Sequence, residues 1–197
     1  MTDNDLLALS ERTRNRAVDV IRRTDVIGIW RRAGAEVNIV GSLAMDLMMT
    51  HRDIDLHVYS SPLTVNESFA AMARLAENTS IGKIECRNLL HTDEACVEWH
   101  AEYYDQSGET WQIDMIHIMK GSRYDGYFER MAERIKAALT DETRLAILRL
   151  KHDTPESEHI PGVEYYMAVL RDGVRTMPEF RQWRKEHSCE GIIEWQP

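Results

Sequence analysis

Residues 36–59 read EVNIVGSLAMDLMMTHRDIDLHVY, and the organisation of the chain can be worked outward from this stretch. Glu36-Val37-Asn38-Ile39-Val40 has the β-branched alternation of a short strand, and Gly41-Ser42 ends it. Leu43 to Thr50 is a short, apolar, Met-rich segment with helical character, its Met45, Met48 and Met49 read as core filler under the sheet. Asp53 to Tyr59 then alternates strictly. Successive side chains of a strand point to opposite faces, so Ile54, Leu56 and Val58 share one face and Asp53, Asp55 and His57 the other.

Two carboxylates on one face of one strand repel each other, and each disfavours ionisation of its neighbour. A divalent cation between their oxygens removes that penalty. Mg²⁺ suits the position because it takes one or two carboxylates and completes its shell with water and substrate phosphate. A third carboxylate, Asp114, lies within another apolar strand, Trp111 to Ile118. If the two strands are neighbours, Asp53, Asp55 and Asp114 converge and can hold two metal ions in the manner of in-line phosphoryl transfer. Glu98, on the preceding strand, is the competing choice for the third position. Upstream, Gly41-Ser42 opens a short helix, an arrangement in which backbone N–H groups receive phosphate. No HxH or HExxH spacing supports zinc, and His57 and His117 are read as packed or supporting residues beside the carboxylates.

Val40-Gly41-Ser42, a spacer of ten residues and Asp53-Ile54-Asp55-Leu56 together resemble the signature of the DNA polymerase beta-like nucleotidyltransferase superfamily, in particular its small bacterial antibiotic and minimal nucleotidyltransferases. The resemblance covers roughly residues 36–118. It implies a mixed sheet flanked by helices, Mg²⁺ (two ions) on Asp53, Asp55 and Asp114, and Gly41 and Ser42 on the triphosphate of a donor such as ATP or another nucleoside triphosphate. The implied reaction transfers a nucleotide monophosphate to a hydroxyl of a small molecule or a protein. Two positions depart from the pattern. Leu43-Ala44-Met45-Asp46 replaces the Arg-Gly that often follows Gly-Ser, placing Asp46 near the expected triphosphate, and Arg52 replaces a Ser before the first Asp and offers positive charge there. The missing Arg-Gly pair and Asp46 keep a second reading open: a binding or regulatory protein on the same fold, antitoxin-like and without turnover.

The remaining segments frame this centre. Asp3 to Ala35 reads as two helices broken near Thr24-Asp25, with Gly34 as a stop and Arg12, Arg14 and Arg16 on a solvated face beside Glu11 and Asp19. Pro62-Leu63-Thr64 leads into a helix through Ala76 that is read as burying Phe69, Met72, Ala73 and Ala76. Strands are expected at Ile84 to His91, Ala95 to Tyr104 and Thr110 to Met119, the last two joined by a hairpin loop at Asp105 to Glu109. Helices follow at Tyr124 to Leu139, Asp141 to Lys151, Gly162 to Gly173 and Pro178 to His187, with Asp153 to Pro161 as a linker. The expected fold class is therefore α/β (α+β): a nucleotidyltransferase-like lobe over residues 1–120 and a helical lobe over 121–197. Tyr165, Tyr166 and Trp183 are candidates to line an acceptor cleft between the lobes, and Lys120, Arg144, Arg149 and Lys151 are candidate cations for the triphosphate.

Composition restricts the partners. The chain has 197 residues, 43% of them apolar, and 33 acidic against 24 basic side chains give a net charge of −9. That balance argues against a long nucleic acid held chiefly by its phosphates. No apolar run approaches the ~20 residues of a membrane span, and the N-terminus lacks the order of a secretory signal. Cys86, Cys96 and Cys189 form no CxxC pair and leave an odd thiol, which points to a reducing, cytoplasmic setting.

Overall fold

The computed structural model describes residues 1–187 and 191–197. A five-stranded mixed sheet organises the N-terminal part, in the order β1-β2-β5-β4-β3: β1 Glu36–Ile39, β2 Asp53–Ser60, β3 Ile81–Asn88, β4 Cys96–Tyr104 and β5 Thr110–Met119. β2 and β5 pair in parallel, with Asp55 opposite Asp114, while the other three pairings are antiparallel. The two-residue period sorts the sheet into unlike faces. Ile54, Leu56, Val58, Val97, Trp99, Ala101, Ile113 and Met115 are buried on one face beneath α1 (Asp3–Thr24), α2 (Val26–Arg32) and α4 (Val65–Leu75). The opposite face carries the carboxylates.

A second core belongs to the helices after the sheet: α5 Tyr127–Ala138, α6 Asp141–Asp153, α7 Gly162–Tyr166 with a π-helical turn at Met167–Arg171, and α8 Met177–Glu186. Leu6 of α1 and the segment after α3 (Gly41–Ala44) join it through Met45, Leu47 and Met49, so α1 straps both cores. Of the three methionines read as filler beneath the sheet, only Met48 packs there; Met45 and Met49 belong to the helical core. α3 is shorter than the apolar run foretells, because the chain turns left-handed at Asp46 (φ 58°).

Two further expectations, the stripe of α4 and the pairing of the arginines on α1, are corrected. α4 buries Ser68, Ala71, Met72 and Leu75, while Phe69 is half exposed and Ala73 and Ala76 face solvent. The stripe turns because the Ser68 hydroxyl accepts a bond from Trp99 Nε1 at 2.8 Å and meets His117 Nδ1 at 3.1 Å, which makes burying a serine favourable. The Arg14 and Arg16 side chains do not pair within their own helix: Arg14 reaches Asp46 (2.7 Å) and Arg16 reaches Asp105 (2.6 Å). α6 begins at a Thr140 cap, whose hydroxyl accepts from the Thr143 N–H at 3.2 Å. The Cys86 and Cys96 thiols are free; Cys189 lies outside the described residues. No described helix is long and apolar enough to cross a membrane.

Candidate active site

The polar face of the sheet forms the floor of a cavity of about 620 Å³ roofed by the helical core. Its floor is set by strand parity. Asp53 and Asp55 from β2, Gln112 and Asp114 from β5, and Glu98 and His100 from β4 all project into it, and β2 and β5 are adjacent, which brings the three aspartates together. Glu98 lies further along the groove, opposite Ile116, and is held by Arg87 at 3.0 Å. Asp114, not Glu98, therefore stands beside Asp55.

The electrostatics follow from this crowding. Burial, with the charges of Asp114 and Asp53 added, pushes the Asp55 carboxyl up to about 7. The Asp53 carboxyl moves in the same direction through burial and Asp114, while His51, Lys151 and His159 oppose the rise. Solvent reaches Asp53 along one side, but protein packs densely around its carboxylate. Among the described residues neither Asp53 nor Asp55 has a side-chain hydrogen-bond donor. Carboxylates left without donors next to a third are a donor set that fits a hard divalent cation.

Gly41 and Ser42 open α3 at the cavity wall. The glycine is required by the neighbouring carboxylate: its φ is +63°, and a Cβ there would fall 1.9 Å from Asp55 Oδ2. Close approach at this position thus serves Asp55 as well as any incoming anion. Asp46 turns away from the cavity onto Arg14 (2.7 Å) and Lys136 (3.0 Å). Arg52 likewise is engaged by Glu109.

Of the four candidate cations, only Lys151 lines the cavity. Lys120 pairs with Glu36, Arg149 with Asp3, and Arg144 donates to the Asp46 carbonyl. Lys151 is buried, donates to the Leu47 carbonyl at 2.9 Å, and is pushed down to about 8 by burial, with Asp55 and Asp53 pulling it back. Sequence alone could not choose it, since the choice depends on which side of α6 meets the sheet.

His57 lines the cavity, 3.3 Å from Glu129 Oε1. His117 does not: it lies on the opposite face, between Ser60 (2.7 Å) and Ser68, and burial pushes it down to about 4. Tyr165 and Tyr166 form part of the wall, whereas Trp183 packs inside the helical core against Phe180. The stretch read as a linker is itself wall: His159, Ile160 and Pro161 all face the cavity, and His159 lies 6.1 Å from His51, ring to ring. The signal that could have found it is the apolar Ile-Pro-Gly-Val run leading into the paired tyrosines.

No protein-family model matches the sequence, and no characterised protein matches it at the sequence level. Solved structures do match in fold. The GLD-2 poly(A) polymerase bound to GLD-3 superposes with a TM-score of 0.54 at 9% identity, covering 83% of this chain and 57% of that one. The Cid1 poly(U) polymerase with MgGTP bound gives 0.55 at 14% identity over 86% of this chain and 56% of that one. A cytoplasmic RNA terminal U-transferase gives 0.52 at 15% identity, over 85% and 53%. The mixed sheet with flanking helices thus matches the fold of these nucleotidyltransferases, and the chain spans little more than half the length of each of these larger proteins.

Proposed function

We propose that this protein is a metal-dependent nucleotidyltransferase that moves a nucleotide monophosphate from a nucleoside triphosphate to an acceptor hydroxyl. The observation that carries the reading is the meeting of Asp53, Asp55 and Asp114 on adjacent strands at the floor of one cavity, in a nucleotidyltransferase fold. Asp53, Asp55 and Asp114 are the residues that would hold Mg²⁺, which supplies charge neutralisation for the triphosphate and for the leaving pyrophosphate. Gly41 and Ser42 would meet the outer phosphates with backbone N–H groups and a hydroxyl, and Lys151 adds the one lysine or arginine charge in the described wall. In the reaction the acceptor oxygen bonds to the α-phosphorus, the bond to the bridging oxygen breaks, and pyrophosphate leaves. Asp114 would complete the metal site and help the acceptor hydroxyl lose its proton, which would pass to solvent water.

The acceptor we favour is a small hydroxylated molecule or a protein hydroxyl. Net charge of −9 and a floor carrying Glu94 and Glu98 beyond the aspartates disfavour a phosphate-rich strand. An RNA 3′ end is the second reading, and it is favoured by the RNA transferase and the poly(A) and poly(U) polymerases that share the fold. Assignment to the small bacterial branch rests on Val40-Gly41-Ser42 and the Asp53-Ile54-Asp55 spacing, and division into lobes at residue 120 on the change to a helical pattern after Gly121. The binding-only reading keeps the missing Arg-Gly pair as its support, while Asp46 points away from the cavity.

The test is a thermal shift of wild type and Asp53→Asn with ATP, GTP, CTP and UTP, with and without Mg²⁺. Ligands that bind the native state raise its melting temperature. A metal-dependent rise lost in Asp53→Asn supports the reading, and pyrophosphate release that requires an added acceptor then identifies the acceptor. No rise with any nucleotide at millimolar concentration refutes it.

A further inference from the structure

The three aspartates are not equivalent. Asp53 and Asp55 have no side-chain donors among the described residues, whereas Asp114 is held by two neighbours. His100, its register partner on β4, meets Asp114 Oδ1 through Nδ1 at 2.6 Å. Gln112, two residues before it on the same face, donates Nε2 to Oδ1 at 2.9 Å and to Oδ2 at 3.0 Å. A carboxylate only accepts, so the His100 Nδ1 carries the proton in this contact. The far nitrogen of the ring is 3.9 Å from Glu98 Oε2, and Glu98 is anchored by Arg87 on β3 at 3.0 Å. Asp114, His100, Glu98 and Arg87 thus form a ladder across three strands on one face of the sheet.

We infer that His100 is a positioning residue for Asp114: it fixes the carboxylate so that one lone pair, on Oδ2, is left free of protein donors, and Asp114 with Asp55 would hold the cation. The inference rests on the nucleotidyltransferase reading and goes beyond it by assigning a role to a residue outside the carboxylate triad. The lone-pair arithmetic supports it. Each carboxylate oxygen accepts about two bonds. His100 and Gln112 use both on Oδ1, and Gln112 uses one on Oδ2. His100 is not itself placed as a cation ligand, since Nδ1 is spent on Asp114 and Nε2 faces Glu98. Partners of this kind that orient a metal's ligands are worth about 10- to 100-fold in metal affinity.

Mn²⁺ binding followed by electron paramagnetic resonance tests this without turnover, in wild type, Asp53→Asn, His100→Ala, His100→Asn and His100→Gln. An Asn amide nitrogen occupies nearly the position of Nδ1, and a Gln amide nitrogen that of Nε2. The expected result is Asp53-dependent binding in wild type, about 10- to 100-fold weaker binding in His100→Ala and His100→Gln, and near wild-type binding in His100→Asn. Unchanged affinity in His100→Ala, or equal losses in His100→Asn and His100→Gln, overturns the positioning role while leaving the nucleotidyltransferase reading in place. Absence of Asp53-dependent binding in wild type overturns that reading, and the positioning role with it. Should His100→Ala fail to fold, the Asn and Gln comparison decides alone, with Gln112→Ala expected to weaken Mn²⁺ in the same direction.

Discussion

Asp55 is where the site departs furthest from what folding alone favours, so replacing it tests the electrostatics directly. Its carboxyl rises from 3.8 to about 7 because it is buried beside Asp114 and Asp53. At about 1.4 kcal/mol for each tenfold change in acid constant, that is a penalty of about 4 kcal/mol on the ionised, metal-free protein. Asp55→Asn removes the charge but leaves amide hydrogens without acceptors, which costs about 1–2 kcal/mol. The variant is therefore expected to be more stable than wild type by about 2 kcal/mol, a rise of about 4–8 °C in a domain of this size. The pH dependence carries the sign. A raised carboxyl contributes no penalty below the unfolded value near 3.8, and the penalty grows as pH climbs to the folded value near 7. The gap between variant and wild type should be small at pH 4.5 and full at pH 8. Urea titrations across that range in excess chelator measure it. Millimolar Mg²⁺ should then narrow or reverse the gap by stabilising wild type alone. A variant less stable than wild type at pH 8, or a gap independent of pH, would refute the argument.

Other outcomes follow from single contacts. Lys151→Met removes the buried cation of the wall and is expected to weaken Mg²⁺-nucleotide binding about 10- to 100-fold in a thermal-shift titration, as loss of a charge-assisted contact does. Gly41→Ala places a methyl against Asp55 at positive φ; a loss of about 1–3 kcal/mol is expected in urea, together with loss of the Mn²⁺ signal. Asp46→Asn tolerates the left-handed backbone and breaks only partly exposed ion pairs, so about 1 kcal/mol or less should be lost, with the nucleotide response unchanged. Ser68→Ala strands Trp99 Nε1 in the core and is expected to cost about 1–3 kcal/mol by the same denaturation assay.

What could be read from sequence was what depends on local period. The Asp53-Ile54-Asp55 alternation assigns both carboxylates to one face whatever lies around them, and the β-branched and turn residues mark four strands within about a residue of their observed bounds, while β3 begins and ends three residues earlier than expected. What could not be read depends on how elements rotate and which strands meet. α4 looks as though it buries Phe69, yet the polar pairing of Ser68 with Trp99 and His117 rolls the helix. Lys151 is indistinguishable from Lys120, Arg144 and Arg149 until α6 is set against the sheet. Asp46 reads as a charge near the phosphates because it follows Gly41-Ser42 by only a few residues, and its left-handed backbone carries it to α1 and α5 instead. His100 is least legible of all. Its partnership with Asp114 spans the Asp105 to Glu109 hairpin, and a shift of one residue in that register would turn it into the apolar core. Period identifies the carboxylates, but only register determines which neighbours restrain each of them, and among the described residues that restraint falls on Asp114 and not on Asp53 or Asp55.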